Sequence, residues 1–172
     1  MTIHSEHPFL EAPEDRDAAR RFRARLGGAV SLWTAGSGDG RRDRAGLTVS
    51  SVMVAPGDPA EVIGLLHPDS DLLDMLVDRR VAVVQLLGAH REQLADAFAG
   101  AAPAPGGPFT LATWEQTDWG PKITEARVWA GVRLKTEPVE SGWSLLVRCT
   151  IEHVEVVDHD LLSHVRGRYA VL

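Results

Sequence analysis

The chain is poor in several features that mark particular classes of protein. It has one cysteine, Cys149, in 172 residues, so no intrachain disulfide can form. Cys149 lies in the apolar stretch 143–151 without a CxxC partner, and we expect a buried, unreactive thiol. Basic residues are outnumbered, 18 against 24 acidic, which gives a net charge of −6 and a pI near 5.6. This balance argues against a nucleic-acid-binding surface, which needs a basic face.

Long hydrophobic runs and a targeting segment are missing as well. No apolar stretch approaches the roughly 20 residues that span a bilayer. The first residues lack the basic and then apolar order of a signal peptide. We therefore expect a cytoplasmic protein without a membrane segment. His4 and His7 have no third ligand nearby, so no metal site is predicted.

The composition that remains is that of an ordinary globular domain. Hydrophobic residues make up 44% and charged residues 24% of the 172 residues, which is enough for one well-buried core and leaves little for a second. Residues 1–12 are polar and are predicted to form a flexible arm. Residues 13–172 are predicted to form a single domain.

Apolar periodicity predicts a mainly β fold with short helices. Helices are expected from Pro13 to the Gly27-Gly28 stop, after an N-cap at Asp69 or Ser70, and over residues 92–99. Strands are expected over residues 29–35, 44–55, 60–66, 81–87, 126–134 and 143–157. Residues 109–117 are ambiguous, and the glycines of residues 36–40 are read as a hairpin loop. A small, mostly antiparallel barrel with helices packed outside is the predicted architecture.

The stretch from residue 44 to 56 is the most unusual strand, because hydroxyl side chains interrupt its apolar residues. Alternation places Thr48 and Ser50 on one face and Val49 and Ser51 on the other. Small donors and acceptors beside apolar neighbours suit a flat ligand with polar edges, such as an isoalloxazine ring. The alternative is that these hydroxyls satisfy neighbouring backbone groups at the rim of a sheet.

Several motifs occur in the order found in one family. Gly46-Leu-Thr-Val-Ser-Ser51 resembles the strand motif of the flavin reductase-like, FMN-binding split-barrel proteins. Val83-Val-Gln-Leu-Leu87 resembles the family's apolar strand, and Gln93-Leu-Ala-Asp-Ala-Phe-Ala99 its helix. Gly120-Pro121 resembles the later turn, and Gly167-Arg-Tyr169 the tail. The resemblance extends over about residues 15–172.

The resemblance implies a six-stranded Greek-key split barrel that forms a homodimer. It implies binding of FMN, with FAD as the alternative flavin, and its reduction by NADH or NADPH. The reduced flavin would serve a separate flavin-dependent monooxygenase. Neither an acid–base pair nor a covalent nucleophile is visible, and none is required, since the cofactors carry the hydride chemistry. No catalytic residue is therefore predicted.

The resemblance also implies which residues surround the flavin and nicotinamide. Thr48, Val49, Ser50 and Ser51 would line the flavin ring. Leu66, His67 and Ser70 would lie near the ribityl chain and phosphate, with His90 and Arg91 close to that end. His164 and Tyr169 would lie near the cofactor or the nicotinamide. The full set of predicted binding residues is Thr48, Val49, Ser50, Ser51, Leu66, His67, Ser70, His90, Arg91, His164 and Tyr169.

The sequence departs from the family pattern at three places, which keeps a second function open. Ser70-Asp-Leu72 stands at the phosphate-binding element, Gln85-Leu-Leu87 where Asn-Val-Leu is common, and Gly131 where a cysteine is common. The alternative to a reductase is a flavin-binding or other small-ligand protein that does not turn over. A deazaflavin or haem protein on the same fold is a further alternative. Arg166 and Arg168 are candidates for a 2′-phosphate contact by charge alone.

Overall fold

Short amphipathic segments form the helices where the sequence predicts them. The structure, a computed structural model, describes residues 18–40 and 42–172. Its helices are α1 (Ala18–Leu26), α2 (Asp71–Arg79) and α3 (Glu92–Phe98), with a 3₁₀ helix over Pro108–Leu111. The predicted arm over residues 1–12 and the helix start at Pro13 lie outside the described residues. No helix among those described is both long and apolar enough to cross a bilayer.

Twelve strands are present among the described residues. They are β1 (Ser31–Gly36), β2 (Arg44–Val49), β3 (Val52–Ala55), β4 (Glu61–Leu66), β5 (Val81–Leu86), β6 (Trp114–Gln116), β7 (Pro121–Ile123), β8 (Val128–Leu134), β9 (Val139–Ser141), β10 (Ser144–Val156), β11 (Leu162–Val165) and β12 (Arg168–Val171). All six predicted strands are confirmed to within a few residues. Strands β6, β7, β9, β11 and β12 were not predicted, because each has three or four residues and is too short to show alternation.

One antiparallel sheet forms the barrel. Its strand order is β2-β1-β5-β8-β10-β4-β3, and β9 pairs with β10 beside this path. Only Ser50 and Ser51 separate β2 from β3, so the two ends of the sheet meet at these serines. The backbone N–H of Leu65 donates to the Ser51 carbonyl at 3.0 Å across this junction. When β2 and β3 are counted as one bent strand, the barrel has the six strands of the predicted split barrel.

The barrel interior is filled by alternate side chains of these strands and closed by α2. Trp33 and Leu66 are fully buried there, and Leu72 and Leu76 of α2 join the same cluster. The Trp33 indole N–H donates to the Ser31 hydroxyl at 3.1 Å, which satisfies its polar atom inside the core. Cys149 is buried in this cluster as predicted, and burial raises the pKa of its thiol to about 12.

A second apolar cluster lies outside the barrel, beneath α3. It joins Leu94 and Phe98 of α3 to Leu32 of β1 and Leu162 of β11. The Phe98 ring contacts Phe109 edge-on at a centroid distance of 5.0 Å. Gly46 of β2 makes this packing feasible, since a Cβ there would lie 2.6 Å from the Phe98 ring. Helix α3 is therefore held on the outer surface of β2.

Candidate functional site

The bend between β2 and β3 carries the two hydroxyls that are free to meet a ligand. Ser50 is exposed and Ser51 is half-buried. Among the hydrogen bonds of the described residues, neither side chain has a partner, although the Ser51 carbonyl is bound by Leu65. Two unpaired hydroxyls beside an apolar barrel rim fit the polar edge of a flat ring. The residues present therefore fit the flavin that the sequence predicts.

Thr48 and Val49 occupy different environments from the two serines. The Thr48 hydroxyl donates to the Ala95 carbonyl of α3 at 2.7 Å. Val49 is 3% exposed, and its carbonyl accepts from the Ser31 hydroxyl at 2.6 Å. For Thr48 the structural interpretation, a hydroxyl that satisfies a neighbouring backbone group, describes what is seen. Val49 could meet a ligand only through its backbone.

The segment after β4 is largely satisfied by its own contacts. Leu66 is fully buried, whereas His67 is exposed and its Nδ1 accepts from the Asp69 backbone N–H at 3.2 Å. The Ser70 hydroxyl donates to the His67 carbonyl at 2.9 Å and accepts from the Leu73 N–H at 3.3 Å, which makes Ser70 the N-cap of α2. The prediction of an N-cap at Asp69 or Ser70 is thus confirmed at Ser70.

This capping makes the N-terminus of α2 less suited to binding a phosphate. The Ser70 hydroxyl is already engaged, and Asp71 and Asp74 place two carboxylates in the first turn. A carboxylate at this position uses the favourable end of the helix dipole that a phosphate would otherwise use. Of the three predicted binding residues in this segment, Leu66, His67 and Ser70, only His67 is exposed.

The residues before α3 form a separate polar group. His90 is exposed and has a φ of 65°, in the left-handed region. Arg91 forms an ion pair with Glu125. Beside them is a cavity of about 350 Å³, whose lining includes Arg91, Glu125 and His159. The predicted cation Arg91 therefore has its charge partly neutralised.

The two predicted tail residues contact each other on the β11–β12 hairpin. The His164 and Tyr169 rings lie 5.2 Å apart, and the Tyr169 hydroxyl donates to Asp96 of α3 at 2.5 Å. Burial and the neighbouring Asp96 carboxylate raise the pKa of Tyr169, so it is a hydrogen-bond donor at neutral pH. Burial also lowers the pKa of His164, against the opposing effect of Asp96 and with a smaller contribution from Arg23.

Helix α3 is the element that connects the bend to the tail. Its Ala95 carbonyl binds Thr48 and its Asp96 carboxylate binds Tyr169. No hydrogen bond or ring contact among the described residues joins His164 or Tyr169 directly to Ser50 or Ser51. Asp96 was not predicted, because its partner lies 73 residues away and local sequence carries no signal of that contact.

Two of the three departures from the family pattern have structural explanations. The Gln85 side chain is buried, donates to the Thr34 hydroxyl at 3.4 Å and accepts from the Ile123 N–H at 2.9 Å. Gly131 lies under the indole of Trp119, and a Cβ there would come within 2.2 Å of that ring. Both residues therefore have a structural role inside the fold, and neither contacts Ser50 or Ser51 through a hydrogen bond.

Comparison with known proteins identifies the class. The model of the flavin reductase like domain matches residues 23–172. The chain belongs to this family, which confirms the resemblance found in the sequence.

Particular relatives agree with this assignment. The chain is 29% identical over 123 residues to the FMN reductase (NADH) RutF of Serratia proteamaculans. That match includes 72% of this chain and 66% of the relative, slightly under two thirds of its length.

Solved structures show the same fold. A putative flavin reductase of Haemophilus somnus superposes with a TM-score of 0.79 at 20% identity, over 91% of this chain and 100% of the other. The flavin reductase of the styrene monooxygenase of Pseudomonas putida S12 superposes with a TM-score of 0.77 at 18% identity, over 91% and 97%.

Proposed function

We propose that this protein is a flavin reductase that uses NADH or NADPH to reduce FMN, with FAD as the alternative flavin. The observation that carries the proposal is the bend at Ser50 and Ser51, where two unpaired hydroxyls meet an apolar rim on a flavin reductase-like barrel. The relative from Serratia proteamaculans is an FMN reductase that uses NADH, which favours that pair of substrates here as well.

The protein's part in this reaction is to bind, orient and exclude water. Flavin and nicotinamide, when bound, supply the hydride chemistry. Ser50 and Ser51 would donate hydrogen bonds to a polar ring edge, while the backbone of Val49 and Leu66 would border the apolar part. His67 would contact the chain that extends from the ring. In this proposal each of these groups binds the ligand and none transfers a proton.

We also propose that two copies associate through the free edge of β3. This strand ends the sheet path, and its Met53 and Val54 are 64% and 59% exposed. An exposed apolar edge strand pairs readily with another strand, and pairing with the same edge of a second copy gives a closed, two-fold interface. Met53→Lys should convert the dimer to a monomer in sedimentation velocity, whereas a wild-type monomer would contradict the proposal.

A separate monooxygenase is the proposed recipient of the reduced flavin. One structural relative is the flavin reductase of a styrene monooxygenase. The exposed position of Ser50 and His67 supports release of a small molecule without unfolding of a lid.

An FMN titration followed by anaerobic NADH or NADPH tests the reductase function. Bleaching of the flavin absorbance at a catalytic rate is the expected result, and the faster nicotinamide identifies the preferred donor. Tight binding without bleaching would favour the second candidate, a flavin-binding protein that does not turn over. The engaged Ser70 hydroxyl and the nearby Asp71 are the observations that favour this candidate.

Replacing both serines of the bend tests the site itself. Ser50→Val with Ser51→Val removes two donors and adds bulk, so flavin affinity should fall at least about tenfold while the fold survives. Ser141→Val, which changes an exposed hydroxyl on β9, is the matched control and should bind flavin normally. An unchanged flavin affinity in the double variant would refute this placement.

A further inference from the structure

Positive charge is concentrated on one face of this acidic protein. Helix α1 carries Arg20, Arg21, Arg23 and Arg25 within nine residues and contains no acidic residue. The β11–β12 hairpin adds Arg166 and Arg168, also without an acidic residue. The two elements are adjacent, since the Arg166 backbone N–H donates to the Ala24 carbonyl at 2.7 Å. We call α1 and this hairpin the arginine face.

A cavity opens on the arginine face. It has a volume of about 500 Å³ and is lined by Val165, Arg166, Arg168, Tyr169 and Ala170. Both arginines are exposed, so their guanidinium groups can turn toward a ligand in it. The hydrogen bond from Tyr169 to Asp96 holds the hairpin on α3, the helix that also binds Thr48 beside the bend. Helix α3 therefore contacts both the hairpin that lines the cavity and the strand that leads to the proposed flavin site.

The cations in this cavity lack the partners that other cations have. Arg91 is paired with Glu125, and Arg133 with Glu152. Arg148 and Lys135 both bind Glu61. Within the described residues, neither Arg166 nor Arg168 forms an ion pair. Two exposed guanidinium groups with no ion-pair partner among the described residues suit an anion with several oxygens, such as a phosphate, although Asp96 lies beside the cavity on Tyr169.

The hairpin turn contains a residue that is unfavourable for its backbone conformation. Val165 pairs with Arg168, which leaves a two-residue turn of Arg166 and Gly167 with φ angles of 53° and 76°. Turns with both φ angles positive favour Asn-Gly, and arginine is poorly suited to the first position. An unfavourable residue at a turn tip is a sign that its side chain serves something other than the fold.

We propose that the arginine face, centred on Arg166 and Arg168, binds a phosphate group of a nucleotide substrate. This inference rests on the proposed function for the identity of the nucleotide. The start of α2 is a poor alternative, since its cap is engaged and its first turn is acidic. The phosphate has two sources in the proposed reaction, the 5′-phosphate of FMN and the diphosphate of the dinucleotide.

Calorimetry with ADP, FMN and riboflavin on the full chain tests the proposal. The test variant combines Arg166→Asn with Arg168→Gln. Asparagine is preferred at the turn position, so thermal stability should be kept while phosphate binding is lost. Arg79→Gln removes one exposed arginine from the end of α2 and is the control for the loss of positive charge elsewhere on the surface. ADP affinity should fall about tenfold or more in the double variant and stay unchanged in the control.

The two sources of phosphate give different results. If the flavin phosphate is bound, the double variant loses affinity for FMN but not for riboflavin. If the dinucleotide phosphate is bound, the KM for NADH rises while kcat and FMN affinity are kept. Unchanged binding of ADP, FMN and NADH in the double variant overturns the proposal. Arginine-dependent binding of ADP by a protein that reduces no flavin would uphold the phosphate site and reject the reductase function.

Discussion

Two regions of the molecule treat charge in opposite ways. On the barrel wall, Glu61 is held between Lys135 and Arg148, and Glu152 accepts from Arg133 at 2.5 Å. These pairs lower the pKa of both carboxyl groups, chiefly through their hydrogen bonds. On the arginine face, Arg166 and Arg168 have no such partner among the described residues. The barrel satisfies its polar groups internally, whereas the hairpin leaves its cations available.

The same contrast holds for apolar side chains. Trp33 is fully buried in the barrel, whereas Phe22 and Leu26 of α1 are 68% and 69% exposed. Phe22 and Leu26 lie four residues apart, on one face of α1, and the described chain leaves most of their surface uncovered. Stability therefore comes from the buried clusters, and the exposed side chains of α1 contribute little to it. This division predicts how variants of the two regions should differ.

The largest effect should follow from opening the barrel core. Trp33→Ala removes a fully buried indole and should lower the free energy of unfolding by about 3–5 kcal/mol. Trp143→Ala makes the same truncation at a side chain that is 76% exposed, at the turn between β9 and β10, where its ring contacts Arg20, and should cost about 1 kcal/mol or less. Urea denaturation of both variants measures the difference, and equal losses would contradict the contrast.

A smaller effect is expected from detaching the hairpin. Tyr169→Phe removes the hydrogen bond to Asp96 and should lower stability by about 1–2 kcal/mol. The loss should be local, with faster hydrogen exchange in residues 162–171 and unchanged exchange in β8 and β10. Asp96→Asn keeps an acceptor oxygen for the Tyr169 hydroxyl. Amides of residues 162–171 should therefore exchange more slowly in this variant than in Tyr169→Phe. Uniform acceleration across the barrel would show that the hairpin is part of the same cooperative unit.

The sequence predicts the barrel better than the hairpin, for a physical reason. Strands β8 and β10 have seven and thirteen residues, which is long enough for their apolar pattern to predict a strand. The four-residue strands β11 and β12 are held by long-range contacts, such as Leu162 N–H to the Leu87 carbonyl at 2.8 Å. Local sequence contains no record of such partners.

The candidate site divides in the same way. Ser50 and Ser51 could be identified because hydroxyls in an apolar strand are visible in the sequence. Two other contacts depend on residues far away in the sequence. The Thr48 hydroxyl binds α3 at a residue 47 positions away, and Arg91 pairs with Glu125, 34 positions away. The family resemblance supplied the positions, and the structure showed which side chains are free.

Acid should affect the barrel wall through Glu61. Its pKa in the folded protein is lowered from 4.5 by Lys135 and Arg148, so its contribution to stability is present above pH 4.5 and is lost as the pH falls through the lower folded value. Glu61→Gln should therefore flatten the decline of the melting temperature below pH 4.5. Glu140→Gln on exposed β9 is the control and should leave the wild-type decline unchanged. Identical curves for all three proteins would exclude this role.

The smallest effect on stability is expected from His164, at a higher pH than the effect of Glu61. Burial lowers its pKa below 6.5, so the unfolded state binds a proton more readily and stability falls as the pH decreases below 6.5. After correction for the intrinsic exchange rate, the protection of hairpin amides should be lower at pH 5.5 than at neutral pH. The protection of barrel amides should stay constant until the pH falls below 4.5. His164→Asn should remove this dependence. A wild-type hairpin without any response above pH 5 would contradict it.

The bent strand over residues 44–55 also has a consequence for the order of folding. Its first half pairs with β1 and its second half with β4, and both partners are neighbours in sequence. The contacts that close the barrel, between β4 and β10, join residues about 80 positions apart. Loop closure delays such distant pairing, so residues 31–66 should gain protection first. The serine bend would then exist in the chain before the remainder of the barrel encloses it.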